Sequence, residues 1–228
     1  MRRTRQAAYL RLAFDLLVTM DAPDRRPPDE RAVPLHPMIA ARWSPRGLDP
    51  SAEITEPQLW SLFEAARWAA SSGNLQPYRY LAGRRGSATF DRIFGVLKPR
   101  NQRWAGAASA LVLGVAVLAD DSGRPIPYGV YDLGQATAQL ALQAVALGLV
   151  AHQMAGFFPD AARAEFGLPP NHQPTVAMAI GRLGSPDGLP EDLRARESRP
   201  RARRPLTETV SLDLDVGRSD VGRSDVRR

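Results

Sequence analysis

The sequence predicts an α+β fold in which helices cover both faces of a small sheet. Three features of its 228 residues carry that prediction. Capped helices alternate with short strand-like segments through the middle of the chain, as helices packed on a small sheet would. Leu111 to Leu118 is uncharged and rich in β-branched and leucine residues, the pattern of a strand covered on both faces. Leu133 to Leu149 places Gln135, Gln139 and Gln143 at every fourth position among mostly apolar residues, which predicts a helix buried almost all round.

From the N-terminus, Met1 to Met20 pairs Arg2, Arg3, Arg5 and Arg11 with an apolar stretch, Leu12 to Met20, interrupted by Asp15. It lacks the clean apolar region and small-residue cleavage site of a signal peptide. It reads as a short amphipathic helix, or as sequence upstream of a working start at Met38. Residues 21–37 carry five prolines and seven charges, a linker composition. Residues 1–35 are therefore expected to be an N-terminal extension, disordered or not translated, with the folded domain spanning 36–210.

Within that domain Thr55 is the expected N-cap of a helix over 56–70, with Pro57 in its first turn, Gln58 three residues on, and Leu59, Leu62, Phe63 and Ala66 at helical spacing. Tyr78 to Ala82 is a short strand, and Gly83-Arg84-Arg85-Gly86 a turn. Ser87 caps a second helix carrying Phe90, Ile93, Phe94 and Leu97, which must stop before Pro99. The apolar strand and the long helix follow. That helix is either partly covered by a second subunit or lies centrally under the sheet. Pro159 to Phe166 forms a helix ended by Gly167 and Pro169, and Thr175 to Ile180 a last strand. Val-Gly-Arg-Ser-Asp occurs twice within Val216 to Val226, so residues 211–228 read as a low-complexity, disordered tail.

Composition narrows the function. At about 150 residues per domain the length suits one domain with tails, and 44% hydrophobic with 24% charged residues is a globular composition. The absence of cysteine excludes disulfides, thiolate metal sites and a cysteine nucleophile, and a cytoplasmic location is expected. The longest uncharged apolar run, Ala105 to Ala119, is shorter than the roughly 20 residues of a membrane-spanning helix. Net charge is +6, and Lys98 is the single lysine beside 29 arginines. Arginine forks suit phosphates and carboxylates, so the bias is compatible with nucleic acid or an anionic cofactor. It also follows from codon composition, since Ala and Pro are abundant and the arginines are dispersed.

Hydrolytic, zinc, phosphoryl-transfer and Rossmann chemistry all lack their motifs, because G-x-S-x-G, H-E-x-x-H, the P-loop and G-x-G-x-x-G are absent. His36, His152 and His172 have no co-ligand spacing, and each reads as structural; no metal is expected. Two polar clusters remain. Arg42-Trp43-Ser44-Pro45-Arg46 sets two guanidiniums and a hydroxyl on alternate residues, so an extended chain turns all three one way, as a phosphate would need. Ser71-Ser72-Gly73-Asn74-Leu75-Gln76-Pro77-Tyr78 follows a helix with groups able to bond a heterocycle edge or a sugar chain, and is equally a good helix terminator and turn.

In this order the clusters resemble the nitroreductase family of FMN-dependent oxidoreductases. That family has an R-x-S-x-R segment, here Arg42 to Arg46, and then a helix ending in A-P-S-S-x-N-x-Q-P-W, here Ala69 to Tyr78. The resemblance extends through Asn101 in Asn-Gln-Arg-Trp, through His152-Gln153-Met154-Ala155-Gly156-Phe157, and to Arg201-Ala202-Arg203-Arg204-Pro205-Leu206, covering about His36 to Val210. It implies a mostly antiparallel sheet and a homodimer with an intertwined C-terminal segment, FMN lying at the subunit interface. Arg42, Trp43, Ser44 and Arg46 would belong to the FMN site, the arginines and serine meeting phosphate, ribityl chain and pyrimidine edge. Arg201 and Arg203 would close on the phosphate. Ser71, Ser72, Asn74 and Gln76 would come from the partner, and Asn101 would stand near the ring. Ala155 and Gly156 would present backbone N–H groups to flavin N5 and O4.

The resemblance implies a ping-pong reaction in which hydride from NAD(P)H passes through flavin N5 to a nitroaromatic, quinone or similar small acceptor. No catalytic side chain is then required, because the cofactor supplies the redox chemistry. Other flavin chemistry on this scaffold, namely dehalogenation, azoline dehydrogenation or flavin fragmentation, is the alternative. An arginine-rich nucleic-acid-binding protein is a more remote one, lacking aromatic interleaving. Ala70 replaces the usual Pro, Tyr78 the usual Trp and Phe158 a common Asp, and the C-terminal W-G pair is missing. These departures bear on the substrate pocket and the C-terminal wrap more than on the FMN site.

Overall fold

Thr55 begins the first long helix by satisfying two backbone donors at once. Its hydroxyl accepts from the Gln58 N–H while the Gln58 side chain accepts from the Thr55 N–H, a complete capping box. The computed structural model describes residues 33–211, and the expectations for Met1 to Met20, the linker up to residue 32 and the C-terminal repeat lie outside the described residues. In chain order the elements are α1 (Pro37–Ala41), α2 (Glu56–Arg67), β1 (Tyr78–Arg84), α3 (Ala88–Gly95), α4 (Pro99–Ala105), β2 (Ala110–Val117), α5 (Gly129–Ala146), β3 (Val150–Met154), α6 (Pro159–Phe166), β4 (His172–Gly181) and α7 (Glu191–Glu197). The four strands form one sheet ordered β1-β2-β4-β3, and every neighbouring pair is antiparallel.

All eight residues of β2 are buried, as its uncharged sequence requires. Leu111, Leu113 and Val115 face a cluster built with Phe90, Ile93, Leu97, Trp104 and Leu193, whereas Ala110, Val112 and Ala116 face Leu62, Leu133, Leu140 and Ala144. The sheet therefore lies between a layer of α3, α4, α6 and α7 and a layer of α2 and α5. Burying one leucine in such a core is worth about 1.5–3 kcal/mol. Near the middle of β2 the register shifts between Gly114 and Val115.

Several boundaries differ from expectation, for reasons of tertiary packing. The helix predicted over 56–70 ends at Arg67, because Ala69 turns into the core and its N–H bonds the Ala66 carbonyl. The long helix starts four residues earlier and ends three earlier than expected, before Gly148 in the left-handed region at φ 66°. It is also not buried all round, since Val130, Tyr131, Gly134 and Ala138 lie exposed along one face. Strands β1 and β4 are longer than predicted. Gly83 belongs to β1 and not to the turn after it; a Cβ there would lie 2.1 Å from the Phe90 amide nitrogen. Helices α1, α4 and α7 and strand β3 were not anticipated. His36, expected in the linker, caps α1 by accepting from the Met38 N–H.

Candidate functional site

The polar segment after α1 is clamped from two sides. From below, His152 on β3 reaches the Pro45 carbonyl with Nδ1 at 2.9 Å, and its ring packs on Trp104 at 4.5 Å. A carbonyl only accepts, so Nδ1 carries the proton and donates. Burial pushes this histidine down to about 4, with the Arg46 and Arg42 guanidiniums adding to the effect and the Pro45 bond opposing it. His152 is thus a neutral peg under the Arg42–Arg46 segment. From the C-terminal side, the Arg201 guanidinium donates to the Ala40 carbonyl at 3.0 Å and the Arg42 carbonyl at 3.1 Å of the same chain.

These clamps gather cations. Arg42 is half-buried and donates to the Ser44 hydroxyl at 3.5 Å. Its guanidinium is held below the ordinary arginine value, first by burial and then by Arg203. Desolvating one guanidinium beside another is unfavourable unless an anion compensates both. Trp43, between Arg42 and Ser44, is also half-buried.

Arg46 departs from the expected comb. Its Nη1 donates to Glu197 Oε1 at 3.2 Å, and Glu197 Oε2 accepts from the backbone N–H groups of Arg46 and Gly47 at 3.0 and 3.5 Å. The first two polar side chains of the segment meet each other, while the third is paired with a carboxylate 151 residues away. Arg46 also borders a cleft of about 520 Å³ lined by Leu48, Asp49, Trp104, Gly184 and Leu189, a lining that does not include Arg42 or Ser44.

Strand β3 carries the site's other end. Two residues past its end, the Gly156 carbonyl accepts from Asn101 Nδ2 at 2.9 Å and from the Lys98 N–H at 3.0 Å. A Cβ on Gly156 would stand 2.5 Å from Asn101 Nδ2, the end of a side chain, so a larger residue here displaces Asn101. Ala155 is exposed beside it.

The Ser71–Gln76 segment is a tight loop fastened elsewhere. The Ser72 N–H donates to the buried Asp132 of α5 at 3.1 Å, the Gln76 N–H to the Ser71 hydroxyl at 3.1 Å, and the Gln76 side chain to Asn74 Oδ1 at 3.0 Å. Gly73, Asn74 and Gln76 all have positive φ, at 57°, 56° and 49°. For Asn74 and Gln76 this is uncommon backbone that surrounding bonds must hold, a feature concentrated at ligand clamps. The loop is bonded to α5, whereas the arginine segment is bonded to β3, α7 and the C-terminal stretch.

Glu197, His152 as a peg, and Asp132 were not identified as site residues from sequence. From the residues alone His152 reads as a lone structural histidine, the resemblance gives it only as part of the His152 to Phe157 segment, and an acidic residue in a helix without a motif gives no local signal. Among the described residues no cluster of His, Asp and Glu could hold a metal ion, and no helix is long and apolar enough to cross a membrane.

The protein is thus a small antiparallel sheet between two helical layers, with the Arg42 to Arg46 segment pinned to its β3 edge by His152. The model of the nitroreductase family matches residues 39–95 and 96–182. An uncharacterized 15.4 kDa protein in the ask 5′ region of Mycolicibacterium smegmatis is 41% identical over 141 residues, spanning 58% of this chain and 93% of that protein. Among solved structures, an oxidoreductase containing FMN is 31% identical, with a TM-score of 0.78 over 87% of this chain and all of that one. A nitroreductase family protein from Clostridium difficile 630 shares the fold at 24% identity and TM-score 0.59, over 78% of this chain and 96% of that one. The chain belongs to the nitroreductase family.

Proposed function

We propose that this protein is an FMN-dependent oxidoreductase that takes electrons from NAD(P)H and delivers them to a nitroaromatic, quinone or similar flat acceptor. The observation that carries the reading is the guanidinium cluster, in which a half-buried Arg42 lies beside Ser44 under the influence of Arg203, with Arg201 bonded to its backbone. Such a donor set fits a phosphate monoester with adjacent hydroxyls. The exposed Ala155 beside Gly156, whose carbonyl Asn101 fixes, leaves backbone for a planar group to lie against.

On this reading Arg42, Arg201 and Arg203 hold the phosphate and Ser44 the ribityl chain. Trp43 stands beside them, and Arg46 meets the pyrimidine edge. Asn101 fixes the Gly156 peptide, so that the N–H groups of Ala155 and Gly156 meet the ring where negative charge develops. When bound, FMN supplies the two-electron chemistry, and the protein's own residues bind, orient and polarise. His152, neutral at physiological pH, holds the arginine segment without adding charge to it.

The strained Ser71–Gln76 loop would serve the site of a second copy, through Ser71, Ser72, Asn74 and Gln76. Val130 and Tyr131, exposed on α5 beside the Asp132 that fastens this loop, would meet that copy. The dimer and a C-terminal exchange between subunits are part of this proposal, as are a catalytic domain over 36–210 and a cytoplasmic location. Nucleic acid is not favoured, because several exposed arginines are paired with carboxylates, as in Arg67–Glu64, Arg92–Glu165 and Arg103–Asp192.

The test is an absorption spectrum at about 350–500 nm of the purified protein, repeated after anaerobic NADH and then NADPH. Flavin bands that bleach support the proposal. Bands that persist would move the function to other flavin chemistry on the same fold, and no flavin uptake after reconstitution would refute the site assignment.

A further inference from the structure

Glu197 occupies an unfavourable place for a carboxylate. It is the last residue of α7, where the helix dipole disfavours negative charge, and its side chain is only 6% exposed. Its oxygens compensate by accepting three bonds from one short stretch, from Arg46 Nη1, the Arg46 N–H and the Gly47 N–H. A buried anion therefore offsets the charge of Arg46 within the segment.

We propose that Glu197 is a positioning residue that sets the reduction potential of the bound flavin by fixing Arg46 and offsetting its charge. The inference rests on the FMN reading above, in which Arg46 meets the pyrimidine edge. Two-electron reduction with uptake of one proton leaves that edge with a net negative charge, so an uncompensated guanidinium beside it would bind reduced flavin more tightly than oxidised flavin. By pairing with Arg46, Glu197 lowers that preference and makes the flavin the stronger reductant. It also keeps the guanidinium from swinging away, because the same carboxylate grips the Arg46 backbone.

Midpoint potentials are measured by anaerobic reduction against a reference dye for the FMN-loaded wild-type protein, Glu197→Gln and Arg46→Gln, with FMN affinity followed by flavin fluorescence. Glu197→Gln keeps the side-chain length and an acceptor oxygen but removes the charge. The expected result is about a tenfold gain in binding of reduced relative to oxidised FMN, equivalent to a rise of about 30 mV. Arg46→Gln, which leaves Glu197 unopposed, shifts the potential down by a similar amount and serves as the reading if Glu197→Gln does not fold. Flavin-loaded variants with unchanged or oppositely shifted potentials would overturn the role of Glu197 and leave the FMN site standing. A wild-type protein that takes up no FMN overturns the FMN reading, and this inference with it.

Discussion

Protonating His152 should cost this protein a measurable part of its stability. In the unfolded chain the imidazole titrates near its ordinary 6.5, whereas in the fold burial and the neighbouring arginines bring it down to about 4. Between these values the unfolded state binds more protons than the folded state, so stability falls as pH falls. The loss begins near pH 6.5 and levels off below about pH 4. At about 1.4 kcal/mol per pH unit the full effect is about 3 kcal/mol, most of it reached by pH 4.5. For a domain of this size that corresponds to a fall in Tm of roughly 6–12 °C.

The assay is urea unfolding of the wild type and His152→Asn between pH 7 and 4.5. An asparagine amide still donates toward Pro45 but does not titrate. The variant is less stable at pH 7 because the imidazole packed on Trp104 is lost. Its stability nevertheless changes less across the window. Asp49, Asp120, Asp192 and Glu64 are held low by their hydrogen bonds and lose stability at more acidic pH in both proteins. Parallel pH profiles for the two proteins would refute the buried neutral peg.

Arg42→Ala should weaken FMN binding by about 1.5–3 kcal/mol, roughly tenfold to a hundredfold in Kd by fluorescence titration, with little change in secondary structure; an unchanged Kd would show the phosphate to be elsewhere. Gly156→Ala forces a methyl within 2.5 Å of Asn101 Nδ2, so it should lower stability by about 1–3 kcal/mol and impair flavin uptake, and Asn101→Ala in the same chain should recover part of the stability. Gly83→Ala drives a Cβ into the α3 backbone at Phe90, which cannot rotate away, so a loss of at least about 3 kcal/mol is expected on chemical denaturation, without a specific effect on flavin affinity in the protein that remains folded.

The parts of this protein legible in its sequence are those whose causes are local. The Thr55 capping box, the Ser87 cap, the Gly167 terminator and the fully apolar β2 each depend on residues within a few positions of one another, and all four were foreseen. The candidate site was legible as a set of segments, since alternation in Arg42 to Arg46 and the polar run after α2 are also local patterns. Their assembly was not. His152 meets Pro45 across 107 residues, Asn101 meets Gly156 across 55, and Glu197 meets Arg46 across 151. Each contact exists because two buried helix layers fix where β3, α4 and α7 end against the sheet. The same packing shortened α2, displaced α5 and left one face of α5 exposed. Burial against a distant partner is a sum over the whole chain, so it has no signature in the few residues that it brings together.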